Sequence, residues 1–321
     1  MKMNMTEAFD QALIREMKRD QRVICMCTMP MPALEREFGP DRMRHLPISE
    51  NGFTGLAVGA ALSGLRPVVV IRNTTFSLLA MDSIVNQAAK ARYMTGGQAS
   101  VPLVVRTEFS NGARMAAQHS QPAYSMYAQA SGLKIIAPAT PADAFGLLTA
   151  AVRSDDPVMC FEAARIASSS GDVPDDLDSV PIGRASVRRE GDDVTIVGLL
   201  HTAGLAEAAA DILRQDGIFA EVIDLRSIVP LDSSAIRASV RNTGRLIVVD
   251  ESVPTCSVAS EVLSLVVEDD ETFGALRAPV RRVCSRPVPI PFSAELEDFV
   301  LPDVADVVTA VRSVLASELS R

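Results

Sequence analysis

The sequence contains no tryptophan, three tyrosines and three histidines among 321 residues, and aromatics make up 4% of it. Stacking platforms for sugars or bases therefore have little to be built from. No uninterrupted apolar run approaches the ~20 residues needed to span a bilayer, which argues against a membrane protein. The N-terminus, with Lys2 and Glu7 among polar residues, lacks the apolar core of a signal peptide, so a cytoplasmic location is expected. A formal net charge of −9 without a basic patch argues against nucleic acid as a partner. Cys25, Cys27, Cys160, Cys256 and Cys284 are odd in number and lack zinc-site spacing, which argues against a disulfide framework and a structural zinc. Cys25 and Cys27 fall on one face of a strand, too close for a relaxed disulfide, and read as small core residues, with lining of the active site as the alternative. No Gly-x-Gly-x-x-Gly follows the first strand, which disfavours a nicotinamide-binding fold.

What is present is alternation. Phe9, Leu13 and Met17 recur at helical spacing and lead into an apolar strand, Val23 to Cys27. Further strands are predicted over 67–71, 101–106, 133–137 and 158–161. Between the last two, Thr140 as N-cap, Pro141 at the first helical position and Asp143 in the first turn announce a helix whose apolar face includes Phe145, Leu147 and Leu148. Ser168 to Asp172 and Pro174 to Asp176 interrupt the pattern with turn formers and acids. The resulting division is a first domain over 1–165, a linker over 166–183 and a second domain over 184–321. The second domain resumes with strands near 194–199, 220–223, 246–249 and 280–284. Its helices are expected around Leu205, Ala208, Ala209 and Ile212, near 258–267, and along Val304, Val307, Val308, Val311 and Leu315. Strands and helices alternating twice over predict an α/β protein of two doubly wound domains with mostly parallel sheets.

One carboxylate stands out. Glu50 sits where an apolar strand gives way to the alanine- and glycine-rich helix beginning Asn51-Gly52-Phe53-Thr54-Gly55. A carboxylate in such company is costly to bury unless it is protonated or hydrogen-bonded to a specific partner, and carboxylates in that condition concentrate at functional sites. An acid is also favoured at any helix N-terminus, so a simple capping role stands beside the functional one.

The run Pro47-Ile48-Ser49-Glu50-Asn51-Gly52-Phe53-Thr54-Gly55, followed by Val58-Gly59-Ala60-Ala61 and Gly64-Leu65-Arg66-Pro67, resembles the beta subunit of 2-oxo acid dehydrogenase first components. Those are the thiamine-diphosphate-dependent subunits of pyruvate, branched-chain and acetoin dehydrogenases, which are transketolase-like. Further blocks follow in the family's order: Asp82 to Lys90 with Tyr93 to Gly97, Gln118-His119-Ser120-Gln121, Ala220 to Arg226, Pro230-Leu231-Asp232, and Pro287 to Phe292. The resemblance implies a pyrimidine-binding domain followed by a transketolase C-terminal-type domain. It implies that Glu50 hydrogen-bonds the cofactor's aminopyrimidine and takes part in proton exchange there. Phe76 would pack on the pyrimidine face, although a core phenylalanine at a strand-to-helix boundary is the plain alternative. Ile48 would lie beside the pyrimidine edge. His119, in a polar loop, would reach the substrate carboxylate or acyl acceptor, a role suited to an imidazole near neutral pH.

The Gly-Asp-Gly motif that anchors Mg²⁺ in thiamine enzymes is missing: Gly171-Asp172-Val173 and Gly191-Asp192-Asp193 lack the third glycine and its context. The resemblance therefore implies an alpha-type partner subunit holding the Mg²⁺-diphosphate half, in an α₂β₂ heterotetramer. It also implies a potassium ion on backbone carbonyls near Leu103, Ala151 and Asp156, and a lipoyl acyltransferase or carrier protein as acceptor. The sequence departs from the family where Met26-Cys27-Thr28-Met29-Pro30-Met31-Pro32 replaces an acidic, glycine-rich segment, which should make the pocket drier. A family Phe-Asn-Phe has become Thr74-Thr75-Phe76, and the segment before the histidine reads Arg106-Thr107-Glu108-Phe109-Ser110-Asn111-Gly112. The leading expectation is a catalytic subunit that decarboxylates a 2-oxo acid and passes on the acyl unit. The alternatives are two-carbon transfer to a carrier protein and a non-catalytic assembly subunit.

Overall fold

A computed structural model describes residues 1–317, which fold into two compact units. The first holds residues 1–110, 118–182 and 228–230; the second holds the remainder.

The first unit is built on a seven-stranded sheet in the order Ser227–Val229, Lys134–Ile136, Val158–Ala163, Val104–Phe109, Arg66–Ile71, Val23–Cys27, Met43–His45. The five pairings from Lys134–Ile136 to Met43–His45 are all parallel. The central strands are buried on both faces, which is why Val23–Cys27 reads as an unbroken apolar run rather than an alternating one; Val104–Phe109 is buried too but carries Arg106, whose Nε donates to Glu162 at 2.8 Å. Helix Met5–Arg19 opens with a capping box, Asn4 accepting from the Glu7 N–H while Glu7 accepts from the Asn4 N–H, both at 2.9 Å. It packs on helix Pro141–Arg153, where Thr140 caps the Asp143 N–H at 3.1 Å as its position predicts.

Several elements differ from the sequence expectation. Ser170–Asp172, expected as linker, pairs antiparallel with Lys2–Asn4, a partner that no local pattern reveals. The strand expected over 101–106 runs from Val104 to Phe109. Val101 and Leu103 are buried all the same, in a turn closed by the Leu103 N–H on the Val101 carbonyl at 2.8 Å, and burial alone does not separate such a turn from a strand. Short helix Pro32–Arg42, kinked where Gly39 adopts φ +64°, fills the crossover to Met43–His45.

One glycine is fixed by a close approach. At Gly132 φ is +95°, and a Cβ there would lie 2.0 Å from the Ala89 carbonyl oxygen. Gly132→Ala is expected to cost at least about 2 kcal/mol, combining left-handed strain with a backbone clash, measurable as a lower denaturant midpoint.

The second unit carries a five-stranded sheet in the order Arg281–Cys284, Leu246–Asp250, Val194–Gly198, Ala220–Asp224, Ser186–Arg189, parallel except for the last. Alternation along Val194–Gly198 shows helices on both faces. Val194 and Ile196 join a core with Ala206, Ala209 and Leu213 of helix His201–Gln215 and Val307 and Val311 of helix Val304–Leu315. Thr195 points the other way, its hydroxyl 2.7 Å from Ser239 and 2.8 Å from Thr243 on helix Ser233–Thr243. Helix His201–Gln215 buries a stripe rotated from the expected one: Ala208 and Ile212 face solvent while Leu213 is fully buried. With alanine at so many positions the sequence does not define the stripe's edge.

Candidate active site

The first unit's parallel sheet starts at Val23–Cys27. The chain then adds Met43–His45 on one side and Arg66–Ile71 on the other. That reversal opens a crevice outside the carboxyl ends of the strands, the usual ligand position in open α/β sheets. Every candidate residue follows the carboxyl end of a strand there. Ile48 and Glu50 come after Met43–His45, Phe76 after Arg66–Ile71, and His119 after Val104–Phe109.

Glu50 is the first residue of helix Glu50–Leu62 and is 7% exposed. Ser49 precedes it without capping the helix, its side chain lying over Gly52 instead, where an added Cβ would meet Ser49 Oγ at 2.8 Å. Among the described residues no hydrogen bond or ion pair engages the Glu50 carboxylate. The unmatched N–H groups of the helix N-terminus favour its charge, yet burial without a specific partner is the costly arrangement. The helix packs on the turn Thr74–Ala80.

That turn carries Phe76, half-buried, on the four-residue helix Thr74–Ser77. Its ring meets His119 edge-to-face, with centroids 5.3 Å apart and planes at 78°. The His119 carbonyl accepts from Asn73 Nδ2 at 2.8 Å and from the Ser110 N–H at 2.9 Å. Thus Phe76 and His119 are brought together, on an element adjoining the Glu50 helix. Ile48 is 84% exposed.

The segment that replaces the acidic one is held locally. Cys27 Sγ donates to the Met29 carbonyl at 2.9 Å, and Glu35 accepts from the Met31 N–H at 2.6 Å while His45 lies 2.7 Å from the same oxygen. Those two hydrogen bonds, first from His45 and then from Met31, hold the Glu35 carboxyl below its usual range. Cys25 and Cys27 are buried free thiols whose burial pushes their pKa values up, in keeping with inert core positions. Glu35, Asn73 and Ser110 were not legible as site neighbours; only Asn73, at an N-cap position after a strand, carried a signal that could have found its local role.

The carbonyls expected to hold potassium have other partners. Leu103 O accepts from the Val158 N–H at 2.9 Å and Ala151 O from the Ser154 N–H at 3.1 Å. The Arg66 guanidinium, 8% exposed, takes Val152 O at 2.9 Å and Ser154 O at 2.7 Å. The Asp156 carboxylate lies 2.6 Å from Arg92 Nε and 3.1 Å from Lys134 Nζ. The Asp156 carbonyl accepts from Ser154 Oγ at 3.0 Å, so each of the three named carbonyls takes one of these hydrogen bonds and has a second lone pair. A cavity of about 590 Å³ at the amino ends of Lys134–Ile136 and Val158–Ala163, lined by Arg92, Tyr93, Gly96, Lys134 and Asp156, contains none of Ile48, Glu50, Phe76 and His119. Among the described residues no cluster of three or more His, Cys, Asp or Glu is arranged to hold a metal.

Residues 1–166 match the family model "Transketolase, pyrimidine binding domain", and residues 183–307 match "Transketolase, C-terminal domain". The chain is thus of the transketolase class in both halves. A split-gene transketolase, solved as an inactive beta4 tetramer, superposes with a TM-score of 0.83 over 98% of this chain and 99% of its own, at 22% identity, a likeness of fold. The pyruvate dehydrogenase E1 component subunit beta-2 of Oryza sativa is 44% identical over 97% of this chain and 85% of its own. The subunit beta of Rickettsia felis is 41% identical over 98% of each, and the acetoin:2,6-dichlorophenolindophenol oxidoreductase subunit beta of Bacillus subtilis 43% over 88% of this chain and 82% of its own. The chain belongs to the family of beta subunits of thiamine-diphosphate-dependent 2-oxo acid dehydrogenase first components. No helix among the described residues is long and apolar enough to cross a membrane.

Proposed function

We propose that this chain forms the pyrimidine side of a thiamine-diphosphate site whose diphosphate side comes from an alpha-type subunit in an α₂β₂ assembly, with Glu50 as the proton-exchanging acid. The observation that carries the reading is the buried Glu50 carboxylate without a protein partner, at the carboxyl edge of the sheet. Thiamine diphosphate, when bound, would supply the nucleophilic carbon and electron sink that 2-oxo acid decarboxylation needs. The chain's own residues do the rest. Glu50 holds the aminopyrimidine by a hydrogen bond and moves a proton at that ring. Phe76 covers the ring face, and exposed Ile48 lies against its edge once the partner is in place. His119 presents an imidazole for proton transfer on the substrate side.

The partner reading is supported by the exposed face of helix Glu50–Leu62, where Asn51, Gly52, Gly55, Leu56, Gly59 and Leu62 are exposed and uncharged. Such a face beside a cofactor site suits a second subunit, because cofactor pockets form readily at interfaces. Mg²⁺ is assigned to that partner. Potassium on the backbone carbonyls near Leu103, Ala151 and Asp156 is part of the reading, each carbonyl having a lone pair left beside the hydrogen bond it accepts. The division near residues 165 and 183 separates the pyrimidine-binding half from the C-terminal half. A 2-oxo acid is the substrate class, a lipoyl group the acceptor, and the cytoplasm the location.

Co-expression with an alpha-type subunit tests this. The pair is expected to co-purify, to bind thiamine diphosphate saturably with Mg²⁺ only when both chains are present, and to release CO₂ from a 2-oxo acid. A verified complex that binds no cofactor would refute the reading.

A further inference from the structure

Asn73 is 3% exposed and uses both ends of its side-chain amide. Its Oδ1 accepts from the Thr75 N–H at 3.1 Å, capping the Thr74–Ser77 helix that bears Phe76, and lies 2.7 Å from the Thr75 hydroxyl. Its Nδ2 donates to the His119 carbonyl at 2.8 Å and to Ser110 Oγ at 3.4 Å. The Thr75 hydroxyl also lies against the Gln118 carbonyl, and its single proton goes either to that oxygen or to Asn73 Oδ1. The orientation of the amide is fixed by its neighbours: a flip would set oxygen against the His119 carbonyl and nitrogen against the Thr75 N–H.

We propose that Asn73 is a positioning residue, one amide that ties the helix bearing Phe76 to the loop bearing His119 and so sets their edge-to-face geometry. The proposal rests on the reading of Phe76 and His119 as site residues. The task requires a donor and an acceptor on one short side chain. Aspartate lacks the donor, and serine caps a helix but does not reach the carbonyl. Where the family carries Phe-Asn-Phe, this chain has Thr74-Thr75-Phe76, and the amide stands two residues earlier. A three-residue departure in the sequence thus becomes one rearranged anchor.

The test uses the full-length chain labelled at histidine. Three histidines give three ring Cε1–H resonances, and Phe76→Leu identifies His119 as the one that loses a ring-current shift. Asn73→Ser keeps a neutral capping acceptor and removes the reach to His119. In Asn73→Ser the His119 resonance is expected to move to its Phe76→Leu position while those of His45 and His201 stay. Asn73→Asp, which keeps the cap and removes the donor, is expected to do the same. With the alpha-type partner, kcat measured at saturating thiamine diphosphate should fall by about 10-fold in Asn73→Ser, the signature of a misplaced group. An unmoved His119 resonance in both folded variants overturns the proposal. A moved resonance with wild-type kcat leaves the tie standing and instead overturns the assignment of Phe76 and His119 to the site.

Discussion

Glu50→Gln is expected to lower cofactor-dependent decarboxylation by about 10²–10⁴-fold, the range that a positioned acid–base group supplies, without lowering the melting temperature. The second half of that expectation separates the two readings of this residue. A carboxylate that merely caps a helix contributes about 0.3–1 kcal/mol through the helix dipole, so its amide would lose stability and leave turnover intact. In the structure Glu50 is 7% exposed, and neither Ser49 nor any described side chain engages its carboxylate. No described side chain bonds the Glu50 carboxylate, so the neutral amide breaks no protein contact and should be tolerated by the fold. Loss of activity with stability kept is the pattern of a site residue held at the fold's expense. Parallel assays of the alpha-complexed variant, CO₂ release against thermal melting, give the answer. A destabilised variant with full turnover would return Glu50 to the capping role.

How much of this could be read beforehand depended on whether the determining contacts are local. Helix Pro141–Arg153 was fully legible, because Thr140, Pro141 and Asp143 act within one turn of each other. Glu50 and His119 were singled out through family-like motifs, and their common position after the carboxyl ends of strands appears only with the strand order. Contacts distant in sequence were not legible. Ser170–Asp172 is a strand because Lys2–Asn4 lies beside it, and its own polar residues read as linker. Residues 111–117 group with the second unit because the fully buried Glu297 carboxylate accepts from the Gly112 N–H at 2.8 Å, the Arg114 N–H at 3.1 Å and Arg114 Nη1 at 2.9 Å. Nothing around Gly112 announces a partner 185 positions later. The same holds for Asn73, whose cap is local and whose tie to His119 is not.

Glu16→Gln is expected to lower the stability of the first unit by about 3 kcal/mol at neutral pH, near the lower end for breaking a buried ion pair, because both arginines remain partly in water. Glu16 is fully buried on helix Met5–Arg19, where Arg153 holds Oε1 at 2.8 Å and Oε2 at 3.0 Å and Arg19 holds Oε2 at 2.7 Å. These bonds join helix Met5–Arg19 to helix Pro141–Arg153. Burial by itself raises the carboxyl's pKa, but the hydrogen bonds from Arg153 and Arg19 outweigh it and the net shift is downward. A folded pKa below the unfolded one means the charged pair contributes its full stability above the ordinary carboxylate range. That contribution disappears as pH falls through the folded value. Wild type and Glu16→Gln should therefore differ most near pH 7, with the first unit's melting temperature lower by about 6–12 °C in the variant, and converge in acid. The variant lacks the titrating group and should show the shallower acid limb. Parallel acid limbs, offset by a constant amount, would assign the loss to packing rather than to the ion pair.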